Sequence, residues 1–153
     1  MYFPYFRGKQ FELILLREQA EFLAANYQVP IIAPVRSNTK QLEKAINTLN
    51  DKVAQHILIM NPSAGEHADD HSAICDLLQS IPANSSTITG VKLTYNLTEE
   101  HIRNLLDTLP AKPFALIHAG YQNHTGLLAE LTLRQLTPTF NIFLRSEEHT
   151  SEL

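Results

Sequence analysis

The chain has 153 residues, a formal net charge of −4 at pH 7, 44% apolar residues and a single cysteine, Cys75. This length suits one domain with a real core. The near-neutral charge, with basic residues scattered and forming no stripe, argues against nonspecific nucleic-acid binding but leaves room for a local basic pocket.

A lone cysteine permits no intrachain disulfide, which fits a reducing compartment. The start, MYFPYFRGKQ, lacks a basic region followed by a clean apolar stretch, so no signal peptide is expected and the cytoplasm is the expected location. The sequons at Asn84, Asn96 and Asn123 then carry no meaning as glycosylation sites. Residues 145–153 (RSEEHTSEL) resemble the in-frame translation of a sequencing adaptor and are read as a non-native tail, leaving residues 1–144 as a partial domain. Without Arg145, Glu147, Glu148 and Glu152 the net charge is −2.

In chain order, aromatic residues 2–6 predict a short strand and residues 9–25 an amphipathic helix. Its apolar positions are read as Phe11, Leu15, Phe22 and Leu23, and the charges within it exclude a membrane span. Residues 30–35 predict a second strand. Ser37, Asn38 and Thr39 are candidate caps for a helix through Leu42, Ala45, Ile46, Leu49 and Val53. The unbroken apolar run at 56–60 suits a strand covered on both faces, followed by a helix through Ile74, Leu77, Leu78 and Ile81. Residues 88–95 form the fourth strand, and Thr98 opens a helix carrying Ile102, Leu105, Leu106 and Leu109. Residues 114–119, 127–136 and 139–144 complete the series as strand, helix and strand.

Five βα units and a sixth strand, about 25 to 30 residues apart, define a parallel α/β fold. Two architectures compete: a truncated (βα) barrel of TIM type, or a doubly wound parallel sheet. The barrel is favoured because a sheet ending within strand six leaves a bare edge. Polar residues at lumen-facing parity also favour it: Tyr5, Arg7, Arg36, Asn61, Lys92, Thr94, Asn96 and His118. On the barrel reading, residues 1–144 have little independent stability.

Either architecture puts ligands at the C-terminal ends of the strands, which brings Arg7, Lys9, Arg36, Asn61, Tyr95 and His118 to one rim. Cations in that number suit an anionic small molecule or a nucleotide, although rims are polar in any case. Lys92, between Val91 and Leu93, points into a barrel lumen by parity, where a lysine serves as Schiff-base nucleophile, general base or anion holder. The catalytic candidates are Lys9, Lys92 and His118. His67 and His71 lie four apart beside Glu66, Asp69 and Asp70, but acidic residues are expected at a helix start and no third firm ligand is evident, so no metal site is expected. Cys75 sits on an apolar helix face as a core residue. No phosphate-binding loop, dinucleotide fingerprint or nucleophile elbow points to a cofactor.

Three segments, MYFPYFRGKQFELILLRE, PIIAPVRSN and ILIMNPSAG, together resemble the beta-protein family of bacteria and phages. The similarity is close over the first three βα units and looser beyond. By position Arg7, Gly8, Lys9, Gln10 and Glu12 match the first motif, Pro34 and Arg36 the second, and Asn61 and Pro62 the third. The resemblance implies a barrel-like α/β protein of roughly twice this length, and it adds Glu12 to the ligand-binding candidates. It implies a phage-related setting and no particular reaction. A departure is Ala33, where relatives often carry an acidic residue. The alternative function is a noncatalytic interaction module that meets a partner protein in a phage-defence or phage-related system.

Overall fold

A computed structural model describes residues 1–144; the tail at 145–153 lies outside the described residues. The elements are β1 (Tyr5–Arg7), α1 (Gln10–Glu18), α2 (Ala20–Ala25), β2 (Ile31–Ala33), α3 (Lys40–Asp51), β3 (His56–Ile59), α4 (Ser72–Ser80), β4 (Thr87–Thr94), α5 (Glu99–Asp107), β5 (Phe114–Ala119), α6 (His124–Leu133) and β6 (Phe140–Phe143). The strands pair in parallel in the order β1-β2-β3-β4-β5-β6.

This order overturns the doubly wound alternative. A doubly wound sheet reverses direction at a switch point and so takes helices on both faces. Here no reversal occurs, and right-handed crossovers that always step the same way put every helix on one side. The two cores agree with that. The outer core joins helix residues such as Leu16, Ile46, Leu78 and Ile102 to outward strand residues such as Ile32, Leu58, Val91 and Leu116. The inner core (Ile31, Ile57, Ile59, Ile88, Ala115, Ile117, Ile142) draws no residue from a helix. The period-2 alternation of side chains along each strand produces this division.

The sheet curls into a half-barrel, so its concave face meets itself. Phe3, just before β1, packs edge-on against Phe140 of the last strand with ring centroids 5.1 Å apart. Lys92 Nζ lies 5.8 Å from the Tyr5 ring centroid, reaching from β4 toward β1. Gly90 leaves its place on the concave face to its neighbours at mid-strand, because a Cβ there would stand 2.7 Å from Ile57 Cγ2.

Some local expectations need correction. The first helix breaks at Gln19 (φ −99°, ψ 8°) into α1 and α2. Its buried stripe is Leu13, Leu16, Ala20 and Leu23, whereas Phe11 is 76% exposed and Leu15 and Phe22 are exposed too. Both stripes recur at helical spacing, so periodicity alone does not choose between them; contact with the sheet does. The second helix stops at Asp51, and Val53 turns outward at φ 53°. Thr98 caps α5 in a capping box, as its position suggests, but the reciprocal partner is His101 and not a glutamate. The last helix begins at His124, three residues before the expected start, because Asn123 Oδ1 accepts the Gly126 N–H. No helix among the described residues is long and apolar enough to cross a membrane.

Candidate functional site

At the C-terminal ends of β1–β4 the concave face holds a cavity of about 300 Å³. It is lined by Tyr5, Arg7 and Lys9 from the first strand and its loop, Ala33 and Val35 from the second, residues 62–65 from the third, and Lys92 from β4. These four contributions are the natural product of a sequential parallel sheet, whose βα loops all emerge at one end. Among the described residues no Asp or Glu lines the cavity, so its local charge is positive.

Lys92 is the inmost of the three cations, at 5% exposed. Its place is set by Asn61, whose Oδ1 accepts the Lys92 N–H at 2.8 Å and whose Nδ2 donates to the Lys92 carbonyl at 2.8 Å. The side-chain amide thus imitates a neighbouring strand where β3 has ended, and it fixes the Lys92 backbone in both directions. At the far end of the side chain, Nζ donates to Ser63 Oγ at 2.9 Å. The lysine is held at its root and at its tip.

The wall formed by residues 62–65 is itself pinned to the β2 loop. The Glu66 N–H donates to the Val35 carbonyl at 2.8 Å, and His67 Nε2 donates to the Arg36 carbonyl. Gly65 sits at φ +87°, and a Cβ there would fall 2.7 Å from Val35 Cα. Neither the angle nor the contact suits another residue. Gly65→Ala is expected to cost about 1–3 kcal/mol, from left-handed strain plus the backbone clash. A thermal midpoint equal to wild type would show that this loop is not pressed against Val35.

The other expected site residues disperse. Arg36 lies outside this cavity, in a separate hollow of about 430 Å³ with Ser37, Asn38 and Glu66. Hydrogen bonds from Ser37 hold the Glu66 carboxyl below its usual range, with smaller help from the charges of Arg36 and His67. Arg36 therefore has an anion of the protein's own beside it. Asn61 spends its amide on Lys92 and positions the site without lining it. Tyr95 is 80% exposed and clear of the cavity. Glu12, on α1, is also not a lining residue; its Oε2 is shielded from water and makes no hydrogen bond among the described residues.

His118 requires a correction of parity. Ala115 and Ile117 face the concave core, so His118 falls with Leu116 on the helix side. There its Nε2 meets Asn141 Oδ1 at 3.0 Å and its ring stacks on Phe143 at 4.5 Å. It borders an apolar groove of about 690 Å³ along α6 and takes no part in the cationic cavity. His67 and His71 are not on a helix face, since α4 starts at Ser72, and each uses Nε2 on a backbone carbonyl. Among the described residues no cluster of three or more metal-ligating side chains forms.

Four lining residues are not marked by the sequence reading: Ser63, Ala64, Gly65 and Val35. Ser63 and Gly65 belong to the run NPSAG, where a glycine shortly after a strand end signals a constrained loop. Nothing local marks Val35, which matters only through Gly65.

No family model, curated protein or solved structure matches the chain.

Proposed function

We propose that the concave cavity binds a small anionic molecule, of the size of a phosphate ester, carboxylate or nucleotide fragment. The observation that carries this reading is the convergence of Arg7, Lys9 and Lys92 on one 300 Å³ hollow with no carboxylate in its lining among the described residues. Arginine supplies a planar fork for two oxygens and lysine a point charge, so the pair suits a polyoxygen anion. Depth is a second support, because a cation held in a partly dry recess acts more strongly on a charge than one at an open rim.

The three segments that resemble the beta-protein family supply most of this wall: Arg7 and Lys9 from the first, Ala33 and Val35 from the second, residues 62–65 from the third. That coincidence supports membership of the family, with Ala33 as the point in the wall where this chain departs from it. The sequential strand order, the one-sided helices and the strand-only inner core support a barrel of TIM type, of which these strands are a part. Apolar residues exposed at both flanks, Phe11 and Phe22 near β1 and Leu128 and Phe143 near β6, are where further units would pack. Supplying those units should raise the thermal midpoint; no gain would count against barrel closure. The same flanks favour a second reading, a module that docks on a partner protein, and substitution there would then abolish the biological effect while cavity variants leave it intact.

The anion reading is checked by calorimetric titration of the whole chain with inorganic phosphate, phosphosugars and nucleotides. Lys9→Ala and Arg7→Ala should each weaken binding by about 10- to 100-fold, the range for a charge-assisted hydrogen bond. Ala33→Asp, which puts a carboxylate into the wall, should weaken it comparably. Heats indistinguishable from dilution for every anion would end this reading.

A further inference from the structure

We infer that Lys92 is a covalent amine, and that the cavity's ligand is a small anion carrying a carbonyl group, an aldehyde or ketone bearing a carboxylate or phosphate. The inference rests on the anion-binding reading above and goes beyond it by assigning different roles to the cations. Lys9 is exposed and Arg7 lies at the mouth, both free to meet solvent-borne charge. Lys92 differs from every other lysine of the chain. Lys9, Lys40, Lys44 and Lys52 are exposed, and Lys112 donates to the Leu78 and Ile81 carbonyls near the end of α4. Only Lys92 is buried, and only Lys92 extends its Nζ into a cavity from a strand anchored by a side-chain clamp.

Anion holding alone does not call for that investment. A flexible lysine at the rim binds a phosphate well, and burial of an amine costs free energy that a surface position avoids. Burial does help covalent chemistry, because a recess that limits water protects an imine from hydrolysis once it has formed. The geometry also provides a proton relay, since Ser63 Oγ stands 2.9 Å from Nζ. The step balances without any redox partner. The Nζ lone pair attacks the carbonyl carbon, the C=O π pair moves to oxygen, and a proton passed from nitrogen to oxygen gives the carbinolamine. The nitrogen then reforms a double bond to carbon as hydroxide departs with a proton, so that one amine and one carbonyl yield one imine and one water. Arg7 and Lys9 hold the anionic end and limit which carbonyls arrive.

The test is reductive trapping on the whole chain. The protein is incubated with glyoxylate and sodium cyanoborohydride, then digested and mapped by mass spectrometry for carboxymethyl-lysine. Lys92 is expected to be modified about tenfold faster than Lys9, Lys40, Lys44, Lys52 or Lys112, although those are more accessible. Inorganic phosphate should slow the reaction at Lys92 and leave the others unchanged. Arg7→Gln should slow trapping of glyoxylate at Lys92 without slowing that of propanal, a neutral aldehyde. Labelling spread evenly over the exposed lysines, or a Lys92 that stays unmodified, overturns the inference, and equal rates for propanal and glyoxylate overturn its anionic half. Calorimetry separates the two levels: anion binding without trapping removes the covalent role alone, whereas no heat from any of the anions removes the site reading itself. Because the map is made on the wild-type chain, a variant that fails to fold does not obscure the result.

Discussion

Asn61→Leu is expected to lower stability by about 3 kcal/mol and to abolish anion binding together. The side chain is nearly isosteric, so the cavity term is small and the loss is one of hydrogen bonds. In the native chain the Asn61 amide satisfies both the N–H and the carbonyl of Lys92, each at 2.8 Å, at a point where β3 no longer supplies a ladder partner. Leucine leaves both backbone groups without a partner at a site that is 6% exposed at position 61 and 5% at position 92. Leaving a buried polar group unsatisfied costs about 1–3 kcal/mol, and two adjoining groups that share some water fall in the lower half of the summed range of about 2–6 kcal/mol. Asn61→Asp should also destabilise, because a carboxylate keeps the acceptor for the Lys92 N–H but sets an oxygen against the Lys92 carbonyl. The measurement is a urea midpoint with its slope. A lower midpoint at unchanged slope, with lost phosphate binding, is the expected result; full stability in the leucine variant would mean that the amide is not holding the strand.

The role of Asn61 illustrates what the chain's pattern makes legible and what it hides. Strand and helix order could be read directly, since alternating apolar runs near 31, 57, 88, 115 and 142 answer to two buried faces and the intervening helices carry one apolar stripe each. Parity placed Tyr5, Arg7 and Lys92 on one concave face correctly, and these now share a cavity. Parity failed beyond the strand ends. Arg36 follows Pro34, after which the chain no longer alternates, and Asn61 turns its amide in toward a neighbouring backbone. His118 differs from the lumen-facing expectation for another reason: it lies within β5, one position out of phase with Ile117, so the register makes it a helix-side neighbour of Phe143. The choice between the two stripes of α1 was also closed to local reading, because Phe11 and Leu15 match the period as well as Leu13 and Leu16 do. Which stripe is buried depends on the crossing of helix and sheet, a property of the whole fold.

Acid should destabilise the protein well above the range in which carboxylates titrate, and His56 is the expected cause. This residue, fully buried at the start of β3, was not singled out by its sequence context, where it reads as the first letter of an apolar run. Its Nδ1 donates to the Ala54 carbonyl at 2.8 Å, which leaves Nε2 as acceptor for the Thr87 hydroxyl at 2.7 Å. Thr87 Oγ1 in turn receives a bond from Asn50 Nδ2, and Asn50 Oδ1 accepts the Ser86 N–H and lies 3.3 Å from Thr87 Oγ1, so a neutral imidazole draws the hydroxyl proton to the shorter of its two contacts. A second ring proton would force that hydroxyl to turn its own proton to the longer Asn50 contact. Burial, only partly offset by the Ala54 bond, lowers the His56 pKa from 6.5 to about 4. A depressed histidine pKa means that the unfolded chain takes up the proton first. The contribution is complete above pH 6.5, falls as pH drops from 6.5 toward 4, and is spent below that. The slope in the middle of this window is about 1.4 kcal/mol per pH unit, so moving from pH 7 to pH 4.5 should remove about 2.5 kcal/mol. Glu21, Glu66 and Asp70, whose pKa values are also lowered, add their own losses as the unfolded carboxyls take up protons, which overlaps only the acid end of that interval. Urea midpoints across pH 4.5–7 on wild type and on His56→Leu decide the matter. The leucine variant starts less stable, since Thr87 loses its acceptor, but its dependence on pH should be flatter by the stated slope; parallel curves for the two proteins would assign the acid sensitivity to other groups.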